Sequence, residues 1–194
     1  MPGTLAAAES SAEDIVGFAL SRDRSHAVAT ATSLKAAANG STGAALNESG
    51  VSPATVALFR RRANRLAQLA STGSFVDIAL AANAVSQLMP GLYGRFRNPV
   101  PTAILALDYL DREAEFRSLA HQPELVAPTV RQLSHTWVLV RPKVVAAGGE
   151  REAAAYQAHV AAMQELSPTA AGKVQAEAAR GLELVDRLEH VFSR

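Results

Sequence analysis

The stretch SFVDIALAANAVSQLMPGLYGRF, residues 74–96, decides how this sequence folds. Within it Phe75, Ile78, Ala82, Val85, Met89, Leu92 and Phe96 recur at alternating steps of three and four. That spacing draws one apolar line along a helix. It cannot line one face of a strand, whose side chains alternate with a period of two. Ser74 and Asp77 stand in the capping-box relation at its start, so the helix is marked at its beginning as well as along its face.

The same period continues on either side. Val126, Val130, Leu133, Trp137, Val140 and Val144 form a second line, and Val174, Ala178, Gly181, Val185, Leu188 and Phe192 a third. Shorter lines run through Val56, Phe59, Ala63, Leu66 and through Tyr156, Val160, Met163. No comparable stretch alternates with a period of two. The fold class is therefore all-α: an antiparallel helical bundle of seven or eight helices, expected over 11–20, 24–48, 52–71, 74–94, 99–120, 123–147, 150–166 and 168–192. Start and stop signals follow the pattern. Ser10-x-x-Glu13 and Ser11-x-x-Asp14 read as capping boxes, and Ser52-Pro53 and Ser167-Pro168 as a cap followed by proline in the first turn. Asn98-Pro99 or Val100-Pro101 opens a further helix. Gly50 and Gly148-Gly149 stand at helix ends. Asn39, Gly40, Ser41 and Gly43 weaken the 24–48 helix in its middle, and Pro142 removes a bond to Val138 inside the sixth.

The 194 residues are expected to form a single all-helical domain, with a proline- and glycine-rich connection at 89–101. The two sides of that connection align as a candidate internal repeat, 11–96 and 110–192, which would give two similar halves with pseudo-twofold symmetry. Leu20 meets Leu119, Leu34 meets Leu133, Gly50 meets Gly149, Phe59 meets Tyr156 and Val185 meets Met89 as the offset drifts from 99 through 97 to 96. Any two heptad patterns align somewhere, so coincidence stands beside duplication as an account.

Composition narrows the function classes. At 48% hydrophobic the chain is too apolar for disorder, and a net charge of +1 does not suit a protein that lives on phosphate backbones, so no nucleic acid is expected. It has no cysteine, hence no disulfide framework and no thiolate chemistry. No run is seen near the roughly 18 apolar residues that span a bilayer, and the N-terminus lacks the basic and apolar regions of a signal peptide. There is no G-x-S-x-G, no phosphate-cradling glycine loop, no dinucleotide fingerprint and no H-E-x-x-H, so neither a cofactor nor catalytic residues are assigned.

The densest polar feature is LDYLDREAEFR, residues 107–117. On a helix Asp108, Asp111 and Glu115 share a face, where three carboxylates could hold a hard cation; Arg112 and Arg117 in the same segment make a salt-bridged face the simpler reading. Asp108, Asp111, Arg112 and Glu115, with Tyr109 and Trp137, are the candidate ligand site. In it the carboxylates would take a cation and the arginine would orient a carboxylate or phosphate. Asp186 with His190, and Glu152 with Tyr156 and His159, are weaker pairings of the partial-metal-site kind. Arg61, Arg62 and Arg65 are expected on a solvated face opposite Val56, Phe59, Ala63 and Leu66, and Tyr93, Arg95, Phe96 and Arg97 form a second weak patch.

The strings AANAVSQLM (81–89), PVP (99–101), LDYLDRE (107–113) and Thr136-Trp137 before Arg141-Pro142 resemble a group of bacterial envelope proteins, small helical lipoproteins or periplasmic domains. The resemblance covers about a third of the chain. It implies an exported bundle in the periplasm or cell envelope whose leader is absent from this sequence, with a membrane reached only through an N-terminal anchor. It brings no catalytic residues. The leading expectation is a non-enzymatic exported bundle that binds a small ligand, an ion or a partner protein, a second copy of itself included. The rivals are a metal-binding protein or metal-dependent enzyme using Asp108–Glu115, and a cytoplasmic interaction module using the Arg60–Arg65 face.

Overall fold

A computed structural model describes residues 3–96 and 98–193. Those residues form helices and turns and, among them, no strand. Ten helical segments follow one another: α1 (Gly3–Leu20), α2 (Arg24–Asn39), α3 (Ser41–Glu48), α4 (Pro53–Thr72), α5 (Phe75–Ser86), α6 (Met89–Tyr93), α7 (Thr102–Leu119), α8 (Pro123–Ala146), α9 (Glu150–Glu165) and α10 (Ala171–Val191). Only α3 and α6 are shorter than three turns, with 8 and 5 residues. They arise where the expected 24–48 and 74–94 helices break. At Gly40 the backbone leaves the helical region, with φ −109° and ψ −113°.

Side-chain caps mark the starts of α2, α4 and α5. Asp23 accepts the His26 N–H at 3.1 Å ahead of α2, and Ser52 accepts the Thr55 N–H at 3.2 Å ahead of α4. Ser74 and Asp77 close the reciprocal box at α5. Two expected starts are corrected. Helix α1 already begins at Gly3, so the Ser10 and Ser11 signatures lie inside it, and the Ser11 hydroxyl bonds back to the Ala7 carbonyl at 2.8 Å instead of capping. Helix α10 begins at Ala171, because Ser167 turns its hydroxyl to Thr169 and holds a local turn. Helix α8 runs through both Pro128 and Pro142.

The chain divides into two compact units, Met1–Arg97 and Asn98–Arg194. The division falls inside the 89–101 connection. In the first unit α1 packs on α2 and α5, and α4 packs on the same two, closing a ring of four with α3 at one end. In the second unit α7 packs on α8 and α10, and α9 packs on the same two. The corners match in detail. Arg22 and His121 both take positive φ, 60° and 55°. At these corners the Asp23 N–H reaches the Phe18 carbonyl and the Gln122 N–H reaches the Arg117 carbonyl, at 2.8 and 2.9 Å. Gly50 and Gly148 end α3 and α8 at φ 73° and 82°, a backbone region that glycine occupies without penalty. Gly50 and Gly148 thus end their helices with the same backbone conformation.

Each unit buries its own core. Leu5, Ile15, Leu34, Phe59, Leu66 and Ile78 fill the first; Leu107, Leu133, Tyr156, Val160 and Leu188 are among those filling the second. One expectation about membranes is corrected here. Phe75–Tyr93, 19 residues of mean hydropathy 1.3, is long and apolar enough by length and composition to cross a bilayer. Its Ile78, Val85, Met89 and Leu92 are buried in the core of the first unit.

Candidate functional site

Helix α7 carries its acidic segment in a setting that has no exposed residue from Thr102 to Leu119. Asp108 pairs with Arg112 at 2.9 Å and Glu113 with Arg117 at 2.8 Å, each carboxylate one turn ahead of its cation, the favourable orientation on a helix. Glu115 is partly buried, and that burial raises its carboxyl against the opposing pull of Arg112. Tyr109 is buried at the edge of the core.

Asp111 behaves differently. Its side chain is fully buried and points across the ring to α9, the helix diagonally opposite. The Tyr156 hydroxyl donates to Asp111 Oδ2 at 2.7 Å, and His159 Nε2 lies 2.9 Å from Asp111 Oδ1. The other ring nitrogen, His159 Nδ1, lies 2.9 Å from Glu177 Oε1 on α10, and Arg180 Nη1 donates to that same oxygen at 3.1 Å. The row therefore runs outward, from Asp111 and His159 at 0% side-chain exposure through Glu177 at 18% to Arg180 at 50%. Trp137 on α8 completes the layer. Its ring meets Tyr156 at 4.8 Å between centroids, and its indole N–H donates to Gln157 at 2.9 Å. Tyr156 meets the His159 ring edge-on at 5.1 Å.

Gly181 makes this layer possible by its size. A Cβ there would stand 2.6 Å from Asp111 Cγ, Asp111 Oδ2 and His159 Nε2. Its φ is ordinary, so the requirement is space and not backbone freedom.

The electrostatics follow from burial. Desolvation raises the Asp111 carboxyl, while the bonds from His159 and Tyr156 pull it back; the net direction is up. Desolvation pulls the His159 imidazolium down, but Asp111 and Glu177 more than offset it, and its net direction is also up. The two directions agree physically: one proton lies between Oδ1 and Nε2, and the pair holds it to higher pH than either side chain would in water. Burial, then the Asp111 charge and hydrogen bond, pushes the Tyr156 phenol well above its ordinary range.

Several expectations are corrected by this arrangement. Asp111 does not stand with Asp108 and Glu115 as an open three-carboxylate face, since Tyr156 and His159 occupy it. Among the described residues no group of three or more His, Asp or Glu side chains is set to hold a metal ion. His159 and Tyr156 do come together, with Asp111 and Glu177 in place of Glu152. His190 bonds the backbone carbonyl of Asp186 at 2.7 Å, not its carboxylate. In the first unit Arg62 is only partly exposed, and its guanidinium donates to the Ala84 carbonyl on α5. Arg61 and Arg65 are exposed as expected. Tyr93 is buried and its hydroxyl donates to Glu9, and Arg97 lies outside the described residues.

The buried row offers no reacting group to a substrate, because Asp111, Tyr156 and His159 are all closed off from solvent. The second unit also holds a cavity of about 250 Å³, lined by Val126, Val130, Met163, Leu166 and Val174 with Arg131 and Gln164 among its walls. No family model, no curated protein and no solved structure matches this chain.

Proposed function

We propose that this chain is a non-enzymatic binding protein of the cell envelope, built from two copies of one four-helix unit, and that its second unit takes a small amphipathic anion. The observation that carries the reading is the cavity among α8, α9 and α10. Its walls are mostly aliphatic, with the Gln164 amide and one guanidinium, Arg131, among them, and no carboxylate lines it. Apolar walls with few polar groups are the usual make-up of a small-molecule site. A volume of about 250 Å³ suits a short-chain carboxylic acid, given that about 150 Å³ holds benzene. The acyl chain would lie along Val126, Val130, Met163 and Val174, with Arg131 facing the carboxylate. The buried Asp111–His159 pair belongs to this reading as scaffold: it ties α7, α9 and α10 together and fixes the cavity wall.

Matched corners and matched helix pairing support the duplication. The envelope location rests on the resemblance of the Phe75–Trp137 segment. Calorimetric titration with hexanoate, hexylamine and hexanol tests the binding reading. Saturable one-to-one binding that favours the acid over both neutral and cationic analogues is expected, and it is lost in Met163→Trp, which fills the cavity. Equal or absent heats for all three compounds would refute it.

A further inference from the structure

We infer that the outer face of α8 is a docking surface for an anionic lipid bilayer. This goes beyond the binding reading above and does not depend on it. The inward face of α8 is spent on the core through Val126, Leu133, Trp137, Val140 and Val144. The opposite face exposes Glu124, Arg131, Gln132 and His135 in its earlier turns and becomes apolar from Val138 onward. Val138 is 64% exposed, Leu139 60% and Val145 38%. Val138, Pro142 and Val145 border an open groove of about 450 Å³ that Arg141, Ala146 and Gln157 complete. A helical turn that is apolar on both faces is normally buried on both.

Charge selects the occupant. Between Glu124 and Glu150 the chain carries no acidic residue, while Arg131, Arg141 and Lys143 are all exposed on α8. At 100° per residue Arg141 and Lys143 flank the Val138–Pro142–Val145 stripe on opposite sides. Apolar side chains between long basic ones suit a surface with negative headgroups above hydrocarbon, where the basic stems extend toward the headgroups. A second copy of this chain, packed face to face, would bring two positively charged faces together. The first unit shows that the four-helix ring does not itself require such a face. Its corresponding helix, α2, exposes Ser25, Thr32, Ser33, Lys35 and Asn39.

Co-sedimentation of the whole chain with vesicles tests the inference. Vesicles rich in phosphatidylglycerol are expected to capture the protein at low salt and release it at high salt, while phosphatidylcholine vesicles leave it in solution. The double substitution Val138→Glu/Leu139→Glu changes two exposed positions, so its helical circular dichroism should match the parent; its partition should fall by about tenfold or more. Arg141→Gln/Lys143→Gln should remove the preference for anionic lipid. Equal partition onto both lipids, or an unaltered Glu/Glu variant, would overturn the inference. So would a dimer in solution that the Glu/Glu variant dissolves, or tight binding of an acidic peptide with none to vesicles, since these assign the face to a protein.

Discussion

The two units use one ring of four helices and fill its middle layer in opposite ways. Along the offsets of the proposed repeat, Ala12, Ala38, Phe59 and Val85 of the first unit align with Asp111, Trp137, Tyr156 and Gly181 of the second. All four positions of the first unit are fully buried and apolar. The second exchanges a methyl for a carboxylate and a valine for a glycine, and the removed volume is what the carboxylate and the His159 ring occupy. The comparison teaches that the ring needs a full layer and does not need a polar one. A buried ion pair in such a setting adds little net stability, but it becomes costly once half of it is removed.

The largest effect is therefore expected at Asp111. Asp111→Ala leaves the Tyr156 hydroxyl and His159 without their shared acceptor and should cost about 3–5 kcal/mol in urea unfolding. The compound change Asp111→Ala/His159→Leu/Tyr156→Phe, which carries the second unit toward the first, should recover much of that loss. If the compound variant unfolds as easily as the single one, the two layers are not interchangeable solutions. Gly181→Ala forces a Cβ into Asp111 and His159, and overpacking of this kind costs about 1–3 kcal/mol.

Next in size is the response to pH. His159 and Asp111 are both raised in the folded state, so the native chain holds more protons than the unfolded one. For His159 that stabilisation is complete below about pH 6.5, the unfolded value, and is lost as pH rises through the folded value. The Asp111 shift reflects that same shared proton and opens no second window. Unfolding free energy should therefore decline as pH rises past neutrality, and the compound variant should be flat over that window. A wild-type stability that climbs through it contradicts the arrangement of the row.

Reciprocal hydroxyl swaps probe the layers from both sides. Tyr156→Phe removes a donor from Asp111, and Phe59→Tyr adds a hydroxyl to an apolar layer; each should cost about 1–3 kcal/mol in thermal unfolding. A neutral Phe59→Tyr would reveal an acceptor in the first unit. The smallest expected effects are at the corners. Gly50→Ala and Gly148→Ala each place a Cβ at positive φ, for about 1 kcal/mol apiece. Unequal losses measured by denaturant titration would break the match between the units at those turns.

The helices were legible because their cores are written at a local spacing. Phe75 to Phe96 and Val126 to Val144 carry their own period, and Ser52, Ser74, Gly50 and Gly148 mark ends. The signals that misled were local ones with two meanings: a Ser-x-x-Glu caps a helix only if the backbone before it is not already helical, and at Ser10 it is. Asp111 was identifiable as chemistry, but not its direction, because its partners sit 45 and 48 residues away. Spacing along α9 joined His159 to Glu152, the neighbour within reach in sequence, and passed over Glu177 on another helix. Gly181 read as one more small residue in an apolar line. A glycine in mid-helix costs about 1 kcal/mol against alanine, and that cost was the one available hint that something large faces it.

The sharing of Glu177 Oε1 between His159 and Arg180 has a kinetic consequence. On its Nδ1 side the imidazole meets solvent by way of the partly exposed Glu177, whereas Nε2 is closed in against Asp111. The Nε2–H signal of His159 should accordingly persist in a magnetic-resonance spectrum recorded in water, and in heavy water it should fade more slowly than the Nδ1–H signal.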